Sequence, residues 1–266
     1  INFAHGEIYM LGAFTALLVA GVLGIVGFPA GGILIVAALA AVVWSAAYGY
    51  TLEKVAYKPL RGAPRLSPLI SAIGMSIFLQ NYVLLAQTSD YVPFPRLLPE
   101  MEFLDYLGNI MGPSDFLILV TSTLAMVSLS LFIRYTRMGK AMRATAQNRK
   151  MALLLGINAD RIISLTFIVG SALAALGGVL IASHMGQVNF GIGFLAGLKA
   201  FTAAVLGGIG SIPGAMVGGL VLGIAESMTT GYLSGNYEDA LAFALLILIL
   251  IFRPDGILGK AKVQKV

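Results

Sequence analysis

The chain has 266 residues, 58% of them hydrophobic and only 11% charged, with a mean hydropathy of +0.91. A soluble domain is about 45 to 50% apolar and about 25% charged, so a soluble globular fold is excluded and a polytopic membrane protein is expected. Cysteine is absent, which rules out disulfides and thiolate metal sites and leaves the redox compartment unread.

The first segment, INFAHGEIYMLGAF, sets an amide, a histidine and a carboxylate directly before apolar sequence. It lacks the basic n-region of a cleavable signal peptide. The chain starts at Ile1 and not Met, so upstream residues are expected to be missing from this numbering. Apolar runs follow at roughly 8 to 27, 29 to 50, 68 to 87, 114 to 134, 163 to 183, 195 to 230 and 239 to 252. A bilayer core about 30 Å thick needs about 20 apolar residues at about 1.5 Å each. Without water to satisfy bare backbone groups, these runs must be helices. The fold class is therefore all-α, a single transmembrane domain over 1–266 with about 8 crossings.

The segments between the runs sort by sign. Residues 51 to 66 carry Lys54, Lys58, Arg61 and Arg65 against Glu53. Residues 134 to 162 carry Arg134, Arg137, Lys140, Arg143, Arg149, Lys150 and Arg161 against Asp160, and the tail carries Arg253, Lys260, Lys262 and Lys265 against Asp255. Positive loops stay in the cytoplasm, which puts these three segments and the carboxyl terminus inside. The loop 88 to 113, with Asp90, Glu100, Glu102 and Asp105 against Arg96, and the loop 231 to 238, with Glu238, belong outside. The net charge of +5 thus expresses topology, and nucleic acid is not an expected partner.

This topology forces the stretch 195 to 230 to begin and end outside, with GGIGSIPG turning it back through flexible glycines and Pro213. An internal repeat accounts for it. Residues 2–21, NFAHGEIYMLGAFTALLVAG, and residues 189–208, NFGIGFLAGLKAFTAAVLGG, are identical at nine of twenty positions with a constant offset of 187. The first copy, a helical hairpin over 2–50, starts and ends inside; the second, over 189–230, starts and ends outside. Inverted repeats are characteristic of transporters, whose pathway lies near the midplane between the copies. Two helices precede the second copy and have no counterpart before Ile1, so about 10 crossings are expected of the native chain.

Residues 135–162 form the longest cytoplasmic segment, with basic and apolar residues alternating at helical spacing. Met142, Ala146 and Arg149 are expected on one face, and Met151, Leu154 and Leu155 on a second short helix closed by Gly156 as C-cap. Such an element docks a partner or lies on anionic lipid. No G-x-x-x-x-G-K-[ST] occurs, so the chain itself does not bind ATP through a P-loop.

The run KAMRATAQNRKMALLLGINADRIISLTFIVGSALAALGG resembles the coupling-loop region of ABC importer permeases, in the form found in branched-chain amino-acid importers. INFAHGE and KAFTAAVLGGIGSIPGAMVGGLVLGIAE resemble the H-type permease of that family, and the likeness covers essentially the whole chain. The resemblance implies a non-enzymatic subunit of the bacterial inner membrane, paired with a homologous second permease. Two cytoplasmic ATPases carrying ATP and Mg would dock on the coupling loops, and a periplasmic binding protein would deliver Leu, Ile or Val. This chain would hold no cofactor of its own. Carried onto these residues, docking falls on Lys140 to Asn158, with Lys140, Arg143, Ala144, Ala146, Arg149, Met151, Leu155, Gly156 and Asn158 as its members; Ala144 and Ala146 are the small residues that let a helix enter the ATPase groove.

Pathway candidates are Asn2, Phe3, His5 and Glu7 at the first repeat start, Gln80 and Asn81 within 68 to 87, and Asn189 and Phe190 at the second repeat start. Unpaired polar groups in a membrane cost several kcal/mol, so they face partners or a wet path. Structural readings stand beside this one: His5 and Glu7 joining helices or pairing with each other, and Gln80 and Asn81 bonding between helices. A metal at His5 is not expected, because His184 falls on the opposite side. Glu226 and Lys199 are expected to snorkel from outer ends, and Gly27/Gly31, Gly210/Gly214 and Gly219/Gly223 to give close helix contacts. Two other functions fit the sequence, an ion-coupled secondary transporter with His5 and Glu7 as proton relay, and a same-family permease for urea or short amides. A passive channel is a further alternative.

Overall fold

The computed structural model describes residues 2–64, 66–95, 97 and 112–259. The charges at Arg65, Arg96, Glu100, Glu102, Asp105, Lys260, Lys262 and Lys265 used for topology lie outside the described residues. Ten α-helices are present among them: α1 His5–Ile25, α2 Ala30–Leu52, α3 Leu66–Ala86, α4 Pro113–Tyr135, α5 Arg137–Gln147, α6 Arg149–Leu154, α7 Ala159–Met185, α8 Ile192–Gly207, α9 Ile212–Tyr232 and α10 Glu238–Phe252. Seven stretches are long and apolar enough to cross a membrane, namely α1, α2 with its extension to Leu60, α3, α4, α7, α9 and α10 with the short turn before it. The remaining apolar helix, α8, has 16 residues, about 24 Å of rise against a core of about 30 Å. Behind the expected eight crossings stand seven full-length helices and one that falls short of full depth.

The helix ends follow local chemistry. α1 starts at His5, three residues before the apolar run, so His5 and Glu7 lie in its first turns. It ends where Gly27 takes a positive φ of 78° and the N–H groups of Gly27 and Phe28 bond to the carbonyls of Gly24 and Leu23, a Schellman closure. Pro29 then stands in extended conformation as the N-cap of α2. Gly27 and Gly210, expected at helix contacts, are instead turn residues with positive φ, and Gly31 and Gly223 face open space.

The chain forms two compact units, residues 1–195 and 196–266. The core of the first is α1, α2 and α7, packed through small residues. A Cβ at Gly12 would fall 2.6 Å from the Ala175 Cα, one at Gly49 would overlap the Ser171 hydroxyl, and one at Gly178 would overlap the Tyr9 carbonyl oxygen. Met10, Phe14, Ala37, Ala41 and Val179 fill the space around these approaches, and α3 joins through Leu79 and Val83. Where the backbones touch, dispersion between closely packed helices replaces the hydrophobic drive that lipid abolishes.

Contacts at the helix ends define two sides of this unit. On one, Arg61 pairs with Asp160, so the α2 end and the α7 start lie together, and Tyr57 of the α2 end also donates to Asn2 just ahead of α1. On the other, Val92 and Pro93 after α3 pair antiparallel with Val188 and Gln187 after α7, and His184 lies 3.4 Å from Asp115 at the α4 start. This grouping matches the one derived from loop charge. The two-residue strand pair is the sole departure from all-α structure among the described residues.

In the second unit, a Cβ at Gly214 would overlap the Gly207 carbonyl and one at Gly218 the Ala203 carbonyl, so α8 and α9 return against each other closely. Ser211 caps α9 by accepting the Gly214 N–H at 3.1 Å, with Pro213 in its first turn. After α10 the chain comes back, and the N–H groups of Ile257 and Leu258 bond to the Leu206 and Gly207 carbonyls, closing the free end of α8. The GGIGSIPG turn and the end of α10 therefore share a side.

Gly178→Ala is expected to destabilise the protein by about 1 to 3 kcal/mol through overpacking against the Tyr9 carbonyl. Gly21→Ala, which meets nothing within 4 Å, serves as a neutral control. Thermal melts of the two variants in detergent check the difference.

Candidate translocation and coupling sites

His5 Cε1 lies 3.2 Å from where a Cβ at Gly170 would stand, and Tyr9 lies beside Gly177 and Gly178. The start of α1 is therefore set about halfway along the 27-residue α7 and not at its end. Two residues on, Glu7 is fully buried. Its Oε1 accepts from Ser76 Oγ at 2.7 Å and from Gln80 Nε2 at 2.8 Å, both near the centre of α3. Its Oε2 is buried without a hydrogen-bond partner and would lie 2.5 Å from a Cβ at Gly193, in the first turn of α8. A side chain at 193 would also come within 2.7 Å of the Gly6 carbonyl oxygen.

Gly6 and Gly193 differ by 187, the offset of the repeat. Residues at equivalent positions of the two similar segments thus approach each other. The meeting point carries a carboxylate halfway along two membrane-length helices. Both its donors sit four residues apart on one face of α3, and that spacing is the signal by which Ser76, absent from the sequence expectations, was findable. Gly193 was also missed.

The other pathway candidates divide. Gln80 is part of the cluster; Asn81, on an exposed face of α3, donates to the Ile77 carbonyl at 2.8 Å and is not brought to Glu7. Asn2 and Phe3 are half-buried, with Asn2 accepting from Tyr57. Asn189 caps its own turn by accepting from the Gly191 N–H at 3.1 Å, and Phe190 packs on the α1, α2 and α7 core. His5 is beside Gly170, and Glu7 takes its bonds from α3 and not from His5.

The segment 135–162 folds as two helices and the start of a third, each with a side-chain N-cap. Thr136 accepts from Gly139, Asn148 from Met151 and Asn158 from Arg161. Arg149 does not share the face of Met142 and Ala146: Asn148 ends α5 in extended conformation, and Arg149 opens α6. Gly156, φ 78°, bonds to the Leu153 carbonyl, while Ile157 bonds to that of Ala152, so the expected C-cap is a full Schellman closure of α6. Lys140, Arg143 and Ala146 are exposed and Ala144 is half-buried, whereas Met151, Leu153, Leu154 and Leu155 are exposed apolar side chains, Leu154 by 81% and Leu155 by 75%. A cluster of bare leucines beside basic residues is a surface made to be covered.

This segment is anchored to the helical core by charges whose pairing the sequence did not disclose. Glu53, in a π-helical turn continuing α2, is fully buried; it accepts from Arg61 and, at 2.6 Å, from Ser164 on α7. Arg61 also pairs with Asp160 on α7, and Asp160 accepts from Arg149 of α6 at 2.9 Å. In the second unit, Lys199 pairs with Glu238, with Glu226 at 3.2 Å and with Asp239 at 3.3 Å, tying α8, α9 and the start of α10. Among the described residues, no group of three or more His, Cys, Asp or Glu side chains is arranged to hold a metal ion.

A membrane-length helical bundle with a buried carboxylate at the meeting of two repeat starts, and an exposed apolar elbow at its charged side, has the anatomy of a transport permease. The chain belongs to the family described as branched-chain amino acid transport system / permease component, whose model matches residues 1–250. It is 52% identical to the high-affinity branched-chain amino acid transport system permease protein LivH of Escherichia coli strain K12, over all of this chain and 88% of the relative. The identity is also 52%, with the same coverage, to the corresponding BraD protein of Pseudomonas aeruginosa. A probable LivH of Methanocaldococcus jannaschii is 27% identical over 97% of this chain and 82% of its own length. No solved structure matches. The chain is a transport subunit and not an enzyme.

Ser76→Ala removes one of two donors to a buried carboxylate and is expected to cost about 1 to 3 kcal/mol. A lowered melting temperature of the purified protein checks it, with Thr at position 76 restoring most of the loss.

Proposed function

We propose that this chain forms part of the translocation pathway of an ATP-driven importer for Leu, Ile, Val or related aliphatic amino acids, in a bacterial inner membrane. The observation that carries the pathway assignment is Glu7: a carboxylate halfway through the helices, bonded by Ser76 and Gln80, with one oxygen unpartnered at Gly193. Intramembrane carboxylates are costly and mark conduits. In repeat-built transporters, the conduit lies where the repeats meet. The touching of Gly6 and Gly193 supports an inverted duplication. Asn2, Phe3, His5, Asn189 and Phe190 flank this point along the two repeat starts, and mostly apolar walls suit substrates whose only polar part is a zwitterionic head.

The positive-inside rule sets α5 and α6, with the carboxyl terminus, in the cytoplasm. There the exposed Met151, Leu154 and Leu155, flanked by Lys140 and Arg143, would fit an apolar groove of a partner ATPase, to which ATP and Mg belong. The span of α4 has no residue buried within this chain, leaving a face for lipid or for the homologous second permease. A periplasmic binding protein would select and deliver the amino acid.

Glu7→Gln keeps shape and removes charge. In proteoliposomes holding the complete importer, it is expected to lower ATP-driven leucine uptake about tenfold or more while the complex copurifies intact, the scale of an interaction worth about 1.4 kcal/mol. Uptake unchanged by the substitution would remove Glu7 from the pathway. Uptake by this chain alone under a proton gradient would replace the ATP-driven reading with an ion-coupled one, and competition of leucine uptake by urea or acetamide would move the substrate class.

Leu154→Asp with Leu155→Asp is expected to reduce copurification of the ATPases about tenfold or more, as loss of a central apolar anchor does at an interface. Undiminished copurification would show that the ATPases dock elsewhere.

A further inference from the structure

The chain of charges running from α6 to the end of α2 has a form that stability does not explain. Glu53 has no exposure and Arg61 only 13%, whereas Asp160 and Arg149 are 46% and 39% exposed. The two acids and two bases balance, and they alternate Glu53, Arg61, Asp160, Arg149 from the interior to the surface. Replacing a buried ion pair by apolar residues is commonly neutral or stabilising, and the best attested use of such pairs is to fix one arrangement against others. Here one guanidinium holds two carboxylates from different helices. One of those, Asp160, is shared with the first residue of the exposed elbow.

Each end of the chain meets an element with a separate task. Arg149 lies at the start of α6, beside the exposed leucines. Glu53 lies in a π-helical turn that prolongs α2, the returning arm of the first hairpin, whose outgoing arm α1 carries Glu7. Single π turns inside α-helices recur at functional positions. The same turn ends at Tyr57, which donates to Asn2 just before α1 and packs at a tilt against Phe167 of α7 with ring centroids 5.2 Å apart. A displacement of α6 that moved Asp160 would draw Arg61 from Glu53. An unpaired buried Glu53 is strongly unfavourable, so the α2 end and the start of α1 would have to follow.

We propose that Arg61 is a positioning residue, an ionic latch through which movement of the α6 elbow is passed to the first hairpin and the Glu7 joint. The proposal rests on the reading of α5 and α6 as the ATPase-docking element. It assigns to Arg61 no contact with substrate or with the ATPase. Its work is done through Glu53 and Asp160.

The test uses the complete importer in proteoliposomes and reads three quantities together: ATPase copurification, ATP hydrolysis, and leucine transported per ATP hydrolysed. Arg61→Gln is expected to leave the first intact and to lower transport per ATP about fivefold or more, the lower end of ordinary coupling between sites. Arg61→Lys, which keeps a charge but not the two-armed fork, is expected to recover part of the ratio. Because Arg61→Gln strands a buried carboxylate, the double variant Glu53→Gln/Arg61→Gln is measured with it; it removes both charges, is expected to assemble, and should remain uncoupled. Asp160→Asn added to Arg61→Gln should lower the ratio no further, since both substitutions cut the same link. A ratio equal to wild type in the double variant overturns the latch, as does full additivity of Arg61→Gln and Asp160→Asn. Failure of the ATPases to copurify with the wild-type chain would overturn the docking reading instead.

Discussion

The bilayer gives an ionised side chain nowhere to go, and that constraint organises this molecule. A buried carboxylate must gather donors from whatever helices surround it. Glu7 therefore gathers α3 through Ser76 and Gln80, and Glu53 gathers α7 through Ser164 and its own loop through Arg61. These two acids bind elements that apolar packing alone would leave free to rotate, because lipid solvates a leucine as well as another helix does. Close packing does the rest where glycine and alanine let backbones meet, between α1, α2 and α7.

The two acids are tied differently. Glu53 is paired with a cation that is itself shared with a half-exposed partner, so its environment can be altered from the surface that carries α6. Glu7 has neutral donors on one oxygen and none on the other. A carboxylate balanced by a fixed cation is a structural joint; a carboxyl held only by a hydroxyl and an amide leaves an oxygen open to a visiting group. The difference separates the element that sets geometry from the one that would meet cargo, and they are connected by one helix turn and the Tyr57 to Asn2 bond.

Much of this was legible in the sequence. Hydropathy located the helices because a membrane span must be both long and apolar, and in the first unit the α2 end and the α7 start fall together, as loop charge had grouped them. Gly156 announced the end of α6, since only glycine enters the left-handed region without strain. Other features depended on which residues become neighbours. Glu53 and Arg61 read as two more loop charges, and nothing in their spacing reveals a shared partner at Asp160, about a hundred residues away. Of the glycines chosen by spacing, Gly214 does sit at a close α8–α9 contact, but Gly27 and Gly210 were needed by turns and Gly31 and Gly223 face open space, while Gly12, Gly49, Gly178 and Gly218 make contacts that were not foreseen. Arg149 was assigned to the wrong helix because Asn148, which caps α6, breaks a periodicity that continues past it.

The two similar segments differ where they meet. The copies share Asn-Phe at their starts and the run AFTA within, and Gly6 corresponds to Gly193. Where Glu7 stands in the first copy, the second has Phe194, half-exposed. Two carboxylates at a symmetric junction would repel at close range in a medium that screens little. One carboxylate facing a glycine avoids that cost and leaves room for an oxygen without a partner. Gly193 thus has two reasons to lack a side chain, the approach of the Gly6 carbonyl and the space required by Glu7 Oε2. The junction of the two similar segments therefore carries one acid, with a glycine at the facing position.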